Sequence, residues 1–202
     1  MTTTRRSRVL GAVLFGGRSR RMGRAKHLLV WNGETWLERI ARQVGAVSEG
    51  LCLCGDGEVP ESLAGVERLP DPPGFAGPIA GLLALRAAHP DRPWLVAACD
   101  QPLVDEEVLR WLLDGWDDRH AALLPRLSAE RVEPLPGIYG RRSHAALAEL
   151  AKEQPARRSL QRLAELAPVS SPSVPPALRE RLRGANLPGE LDDLSLQSPD
   201  RG

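Results

Sequence analysis

Acidic residues are missing from the first 33 positions of this 202-residue chain. Arg5, Arg6, Arg8, Arg18, Arg20, Arg21, Arg24 and Lys26 all precede the first carboxylate, Glu34. The formal net charge of the whole is only +1, which gives no nucleic-acid or membrane-surface signature. A positive cluster confined to one end suits a small, highly anionic ligand instead. A basic N-terminal tail would account for Arg5, Arg6 and Arg8, but not for the charges further on. Cysteine is also scarce. Cys52, Cys54 and Cys99 form neither an even disulfide set nor a C-x-x-C pair. They are expected to be reduced core residues, and with Cys52 and Cys54 on one face of a strand a structural zinc is not expected. His27, His89, His120 and His144 lie far apart, without metal spacing and without a Ser/His/Asp or Cys/His arrangement, so hydrolytic nucleophile chemistry has no support. No apolar run approaches membrane-spanning length, and no apolar signal region precedes the first strand. The expectation is a soluble, cytoplasmic protein with no nucleic-acid or membrane partner. No internal repeat is present.

What the chain does have is a strand that runs into a glycine-rich, cationic loop. Residues 9–15 are a short apolar run suited to a buried strand. Gly16, Gly17 and Gly23 then allow positive φ and close approach of backbone N–H groups to a ligand, amid Arg18, Arg20, Arg21, Arg24 and Lys26. Two familiar phosphate loops are excluded by counting. After Gly17 and four intervening residues the chain reaches Met22 rather than Gly-Lys-[Ser/Thr], and Gly16-Gly17 is not the start of G-x-G-x-x-G. The combination still fits a polyphosphate.

Further along, Asn32-Gly33 is a turn dipeptide, and Thr35 with Glu38 makes a capping box ahead of a helix bearing Trp36, Leu37, Ile40, Ala41 and Val44. Residues 51–54 and 66–69 are strands, each followed by an acidic residue, Asp56 and Asp71. Pro78 opens a second helix that ends at His89-Pro90. Residues 94–99 form the clearest buried strand, with Asp100 immediately after it, and residues 105–107 place carboxylates at the start of a third helix. Strand and helix alternate, the pattern of an α/β layer fold with a parallel sheet whose ligands bind at the carboxyl ends of the strands. Residues 121–124 are a weaker strand, 126–139 an excursion or mixed-sheet strand, 143–150 and 159–166 helices, and 169–176 a loop. One domain over residues 1–186 is expected, with 187–202 a partly disordered tail.

Taken alone, Asp56, Asp71 and Asp100 are turn formers, Arg157-Arg158 a solvated pair, and Gly81 a weak point in a helix unless something must come close. The loop, however, resembles the signature L-x-G-G-x-S-x-R-M-G-x-x-K of small nucleotidyltransferases, most closely the MobA-like molybdenum cofactor guanylyltransferases. Leu14, Gly16, Gly17, Ser19, Arg21, Met22, Gly23 and Lys26 all match, while Ala25 stands where the family usually has an acidic residue. Cys99-Asp100-Gln101-Pro102 is similar to the family's C-D-x-P motif, and Gly77-Pro78-Ile79-Ala80-Gly81 to the G-P-L-A-G segment of guanylyl rather than cytidylyl enzymes. Near the end, Asn186 and Pro188 match the N-x-N-T-P-E-D-L segment, with Gly184 in place of its first asparagine.

The resemblance implies a three-layer, mostly parallel Rossmann-like sheet of the nucleotide-diphospho-sugar transferase type. It implies Arg21, Lys26 and Asp100 as catalytic, and Asp100 as the ligand of Mg²⁺. It implies Leu14, Phe15, Gly16, Gly17, Ser19, Lys26, Asp56, Asp71, Gly77 and Asp100 around the nucleotide, with Asn186 toward the acceptor. Asp56 stands where relatives commonly have asparagine. The activity implied is transfer of GMP from GTP to the terminal phosphate of molybdenum-molybdopterin, with transient contacts to cofactor-synthesis or acceptor proteins. Two alternatives stay open: a cytidylyltransferase of the same cofactor or another small-molecule nucleotidyltransferase, and a non-catalytic nucleotide-binding or carrier protein.

Overall fold

The computed structural model describes residues 9–16 and 25–184, so Gly17, Ser19, Arg21, Asn186 and the tail from 187 lie outside the described residues. In chain order the elements are β1 (Leu10–Leu14), the hairpin of β2 (Val30–Trp31) and β3 (Glu34–Thr35), α1 (Trp36–Gly45), β4 (Leu51–Cys54), β5 (Glu67–Leu69), α2 (Pro78–Ala88), β6 (Trp94–Ala98), α3 (Glu106–Asp114), β7 (Ala122–Leu123), β8 (Gly137–Tyr139), α4 (Ser143–Lys152), α5 (Leu163–Leu166) and β9 (Val169–Ser170). Seven strands make one sheet in the order β5-β4-β1-β6-β8-β7-β9. β8 runs antiparallel to both neighbours, and the other pairings are parallel. This is a three-layer, mostly parallel α/β architecture.

The period-two pleat of the strands sorts their side chains into two cores. Leu10, Ala12, Leu14, Cys52, Cys54, Trp94 and Val96 pack with Ile79, Leu82 and Leu85 of α2 and Leu147 and Leu150 of α4. Val9, Val13, Phe15, Leu53, Leu95 and Ala97 face the other way, toward Leu37, Ile40 and Val44 of α1 and Val108, Leu109 and Leu112 of α3. The central parallel strands β1, β4 and β6 are buried on both faces, as their near-continuous apolar runs require, while β5 at the edge leaves Glu67 and Arg68 exposed. Glycine sets the layer spacing at two places. A Cβ on Gly11 would lie 2.6 Å from Cγ1 of Val44, and one on Gly81 would lie 2.5 Å from Cδ2 of Leu14 and 3.2 Å from Cβ of Cys54. The close approach that Gly81 permits is therefore helix onto sheet.

Local signals in the first half act as their residue types dictate. Asn32 (φ 51) and Gly33 (φ 82) make the β2–β3 turn with both central residues at positive φ. The Thr35 backbone N–H donates to Glu38 Oε2 at 2.8 Å while the Glu38 N–H donates to Thr35 Oγ1 at 3.2 Å, closing the capping box. Asp105 caps α3 by accepting from the Val108 N–H at 3.2 Å. Two expectations need correction. Val169–Ser170 is a strand rather than loop, held in parallel to β7, with the Ala121 N–H on the Pro168 carbonyl at 2.7 Å and the Leu124 N–H on that of Ser170 at 2.9 Å. Two residues are too few to show an alternating pattern, so only tertiary pairing reveals them. Residues 159–166 divide into a 3-10 turn, Leu160–Arg162, and the short α5, with Leu160 and Leu163 buried at the i, i+3 spacing that a 3-10 turn eclipses.

Candidate active site

From β1 the chain moves outward to β4 and β5, then crosses back through α2 to β6 on the other side of β1. The order reverses between β1 and β6, and the crevice beyond their carboxyl ends is where an open parallel sheet binds its ligand. Phe15 and Gly16 leave β1 at that point, and Asp100 leaves β6 beside them, fixed by the Cys99 N–H on the Leu14 carbonyl at 3.0 Å. Gly16 has φ 88, and any Cβ there would strike the Asp56 carbonyl oxygen, so glycine is required for the loop after β1 to cross the loop after β4.

Lys26 begins a 3-10 turn, Lys26–Leu28, and its Nζ lies 3.7 Å from Oδ2 of Asp100. The ammonium is 19% exposed and the carboxylate 50%, so the pair contributes little to stability. Its significance is positional. A cation and a carboxylate, 74 residues apart in sequence, meet at the switch point. Cys99 next to them is buried, and burial, aided by the Asp100 charge, pushes its thiol up to about 12. It stays protonated, and thiolate chemistry is excluded.

On the other side of β1, Asp56 follows β4 and Asp71 follows β5. Partial burial first, and the Asp56 charge second, raise the Asp71 carboxyl above its ordinary range. From β6 to β5 is three strand spacings, roughly 14 Å. The crevice thus has a lysine–aspartate pair at the end of β1 and β6 and two carboxylates, Asp56 and Asp71, toward β5.

The structure brings Lys26 to Asp100 and Gly16 to the Asp56 backbone, where Leu14 and Phe15 end β1, with Asp71 and the exposed Gly77 beyond β5. A Cβ on Gly184 would lie 3.4 Å from the Asp100 carbonyl oxygen, so the segment that leads to Asn186 begins beside the switch point.

Two positioning groups escaped the sequence reading. His27 is buried, with Nε2 2.9 Å from the Glu58 carbonyl and its ring edge-on to Phe15 at 5.1 Å between centroids. It anchors the turn that carries Lys26, and the carbonyl partner fixes the Nε2–H tautomer. Arg39 donates through Nε to the Pro102 carbonyl at 2.6 Å, stacks over Trp31 at 4.7 Å and pairs with Glu34 at 3.3 Å. It joins the hairpin after Lys26 to the segment after Asp100. A search for metal spacing passes over a single buried histidine, and a helix periodicity gives no sign that an exposed-face arginine reaches a loop 63 residues away.

Burial lowers the His27 pKa below 6.5, against a smaller upward pull from the Glu58 carbonyl and carboxylate. A depressed histidine pKa means that the unfolded chain binds the extra proton. Its share of stability is present above pH 6.5 and is lost as pH falls through the folded value. Thermal unfolding of wild type and His27→Asn from pH 8 to 5 should show the Tm advantage of wild type shrinking below about pH 6.5. Burial depresses His144 as well, so some acid sensitivity persists in the variant. A constant Tm gap would contradict the assignment.

Comparison with known proteins bears on the family and the fold. The model of the MobA-like NTP transferase domain matches residues 11–167. The probable molybdenum cofactor guanylyltransferase of Bacillus cytotoxicus is 28% identical over 161 residues, covering 77% of this chain and 79% of the relative. That of Pelotomaculum thermopropionicum is 30% identical, covering 69% and 67%. Among solved structures, molybdopterin-guanine dinucleotide biosynthesis protein A from Archaeoglobus fulgidus superposes with a TM-score of 0.69 at 25% identity, covering 92% of this chain and 96% of that one. With a family model over residues 11–167, well more than half its length, this chain belongs to the MobA-like NTP transferase family of nucleotidyltransferases.

Proposed function

We propose that this protein transfers GMP from GTP to the terminal phosphate of molybdenum-molybdopterin and releases pyrophosphate. The observation that carries the reading is the meeting of Lys26 and Asp100 at the switch point, with two carboxylates at the far end of the same crevice. The names of the relatives support the choice of acceptor.

Among the described residues no group of three His, Cys, Asp or Glu side chains could hold a metal. A half-exposed lone carboxylate is the donor set that Mg²⁺ accepts, since this hard cation keeps several waters and takes further oxygens from substrate phosphates. Asp100 would hold it, and the ion would supply neutralisation of phosphate charge. Lys26 contributes an ammonium toward the phosphates that depart as pyrophosphate. Gly17, Ser19 and Arg21 complete the phosphate grip in this proposal. The acceptor phosphate is already ionised, so its oxygen attacks the α-phosphorus without a general base and the bond to the β-phosphate oxygen breaks. The contribution of the protein is alignment and charge stabilisation.

Asp71 argues for guanine. The N1–H and N2 amino groups of guanine present adjacent donors that a carboxylate can accept together, whereas cytosine offers one amino group. At neutral pH the ionised Asp71 is mildly unfavourable in the free protein. A raised carboxyl pKa contributes stability below the unfolded value and loses it as pH rises through the folded one. Asp71→Asn should therefore raise Tm slightly while raising the KM for GTP by about ten- to a hundredfold, the loss expected for charge-assisted bonds of about 1.5–3 kcal/mol. A lowered Tm with unchanged KM would show that Asp71 serves the fold. The function itself is tested by pyrophosphate release with molybdenum-loaded pterin and GTP, CTP, ATP or UTP in turn. Release with GTP above the others is expected. Preference for CTP would contradict the guanine assignment, and binding without release would identify a carrier.

A further inference from the structure

Residues 71–77 lead from β5 to α2, beginning with Asp71, whose carboxyl feels the charge of Asp56. They fold into a tight turn, with the Phe75 N–H on the Pro72 carbonyl at 3.1 Å and Gly74 at φ 82, the geometry that Pro73 and Gly74 favour at the two central positions. Gly77 follows at φ 72 and leads into α2. A turn of this kind has a defined shape but little of its own to hold it against the rest of the protein.

Arg158 reaches it from 84 residues further on. Its Nη1 donates to the Gly74 carbonyl at 3.1 Å, and its guanidinium lies 4.5 Å from the centroid of the Phe75 ring. Its Nε donates to the carbonyl of Glu153, the C-cap of α4, at 2.9 Å. The backbone around it is buttressed in turn, since Arg162 donates to the Arg157 carbonyl at 3.3 Å and pairs with Glu153 at 3.4 Å and Glu165 at 3.1 Å. One planar guanidinium thus takes a loop carbonyl and a helix-end carbonyl on two of its edges, while its face covers an aromatic ring. Lysine cannot make this arrangement, because its ammonium has neither the fork nor the plane.

We propose that Arg158 is a positioning residue for nucleotide selection: by clamping Gly74 and Phe75 onto the end of α4, it holds residues 71–77 in the pose that receives the base. The proposal rests on the reading of this crevice end as the base side. The described contacts of Arg158 are to Glu153, Gly74 and Phe75 rather than to Lys26 or Asp100, so releasing it should leave the chemical step alone. The nucleotide would instead have to order the loop as it binds, which weakens binding of ground and transition states alike and appears in KM with kcat unchanged.

The experiment compares Arg158→Ala, Arg158→Lys, Phe75→Leu and the Arg158→Ala/Phe75→Leu double variant in steady-state pyrophosphate release, with Tm as the control for folding. Arg158→Ala should raise the KM for GTP by about tenfold with kcat within about twofold of wild type, and should narrow the preference for GTP over CTP. Arg158→Lys should leave KM raised, because an ammonium keeps the charge but reproduces neither the fork nor the plane. Phe75→Leu keeps apolar bulk yet should reproduce the KM effect in part, and the double variant should be no worse than Arg158→Ala, because both act through one loop pose. Unchanged KM, a fall in kcat at unchanged KM, a rise confined to the KM of the acceptor, or additive losses in the double variant would each overturn the proposal. Wild type that prefers CTP would overturn the guanine reading alone, and the same KM comparison with CTP would then decide the role of Arg158.

Discussion

Asp100→Asn is expected to reduce pyrophosphate release from GTP by about 100- to 1,000-fold, the loss of about 3–4 kcal/mol typical of removing one preorganised electrostatic group at a reacting centre. The substitution removes the charge while keeping the shape. Asp100 follows β6 in a segment fixed by the Cys99–Leu14 backbone bond, by the Gln101 N–H on the Ala98 carbonyl at 3.2 Å and by Gln101 Nε2 on the Leu135 carbonyl at 2.8 Å. None of these depends on the carboxylate. Its one described ionic contact, to Lys26, is long and half-exposed, so Tm should barely change. Raising Mg²⁺ should recover part of the lost rate, because a weakened ligand is partly offset by mass action. Near-wild-type turnover in Asp100→Asn would remove Asp100 from the mechanism.

Lys26→Ala should lower kcat and kcat/KM together by about 30- to 1,000-fold, corresponding to roughly 2–4 kcal/mol of transition-state stabilisation. The ammonium is held one residue from buried His27, on a short turn whose Leu28 and Leu29 N–H groups bond back to Ala25 and Lys26 at 3.0 and 3.1 Å. Lys26→Arg should recover only part of the rate, because a broad planar guanidinium replaces a compact charge in a site where Asp100 is already 3.7 Å away. Loss of GTP affinity with kcat intact would show that Lys26 binds substrate without favouring the transition state.

Much of this arrangement was legible in the residues because it is local. The run before Gly16, the Asn32-Gly33 turn, the Thr35–Glu38 box and the apolar stretch ahead of Asp100 each state their own geometry, and the alternation of strand and helix then places the loops that follow the parallel strands at one sheet edge. The glycines were legible as to need but not as to cause. Gly81 admits Leu14 and Cys54, and Gly16 admits the Asp56 backbone, neither of which a linear pattern names. What stayed hidden is tertiary. β9 exists only through β7, Arg39 acts through Pro102, and Arg158 looked like half of a solvated pair until the fold laid it against Gly74 and Phe75. Ala25, the departure from the family pattern, lies beside Lys26 without disturbing its approach to Asp100.

The account stands on one nucleotide spanning the crevice from Asp100 to Asp71. The most direct measurement is a crystal structure of the protein with Mg²⁺ and a GTP analogue that cannot be cleaved between its α- and β-phosphates. The expected result has an Asp100 oxygen on the metal, Lys26 Nζ on a phosphate oxygen and the guanine edge at Asp71. A nucleotide bound with its base on the β8 side of β6, or with its phosphates remote from Lys26, would contradict it.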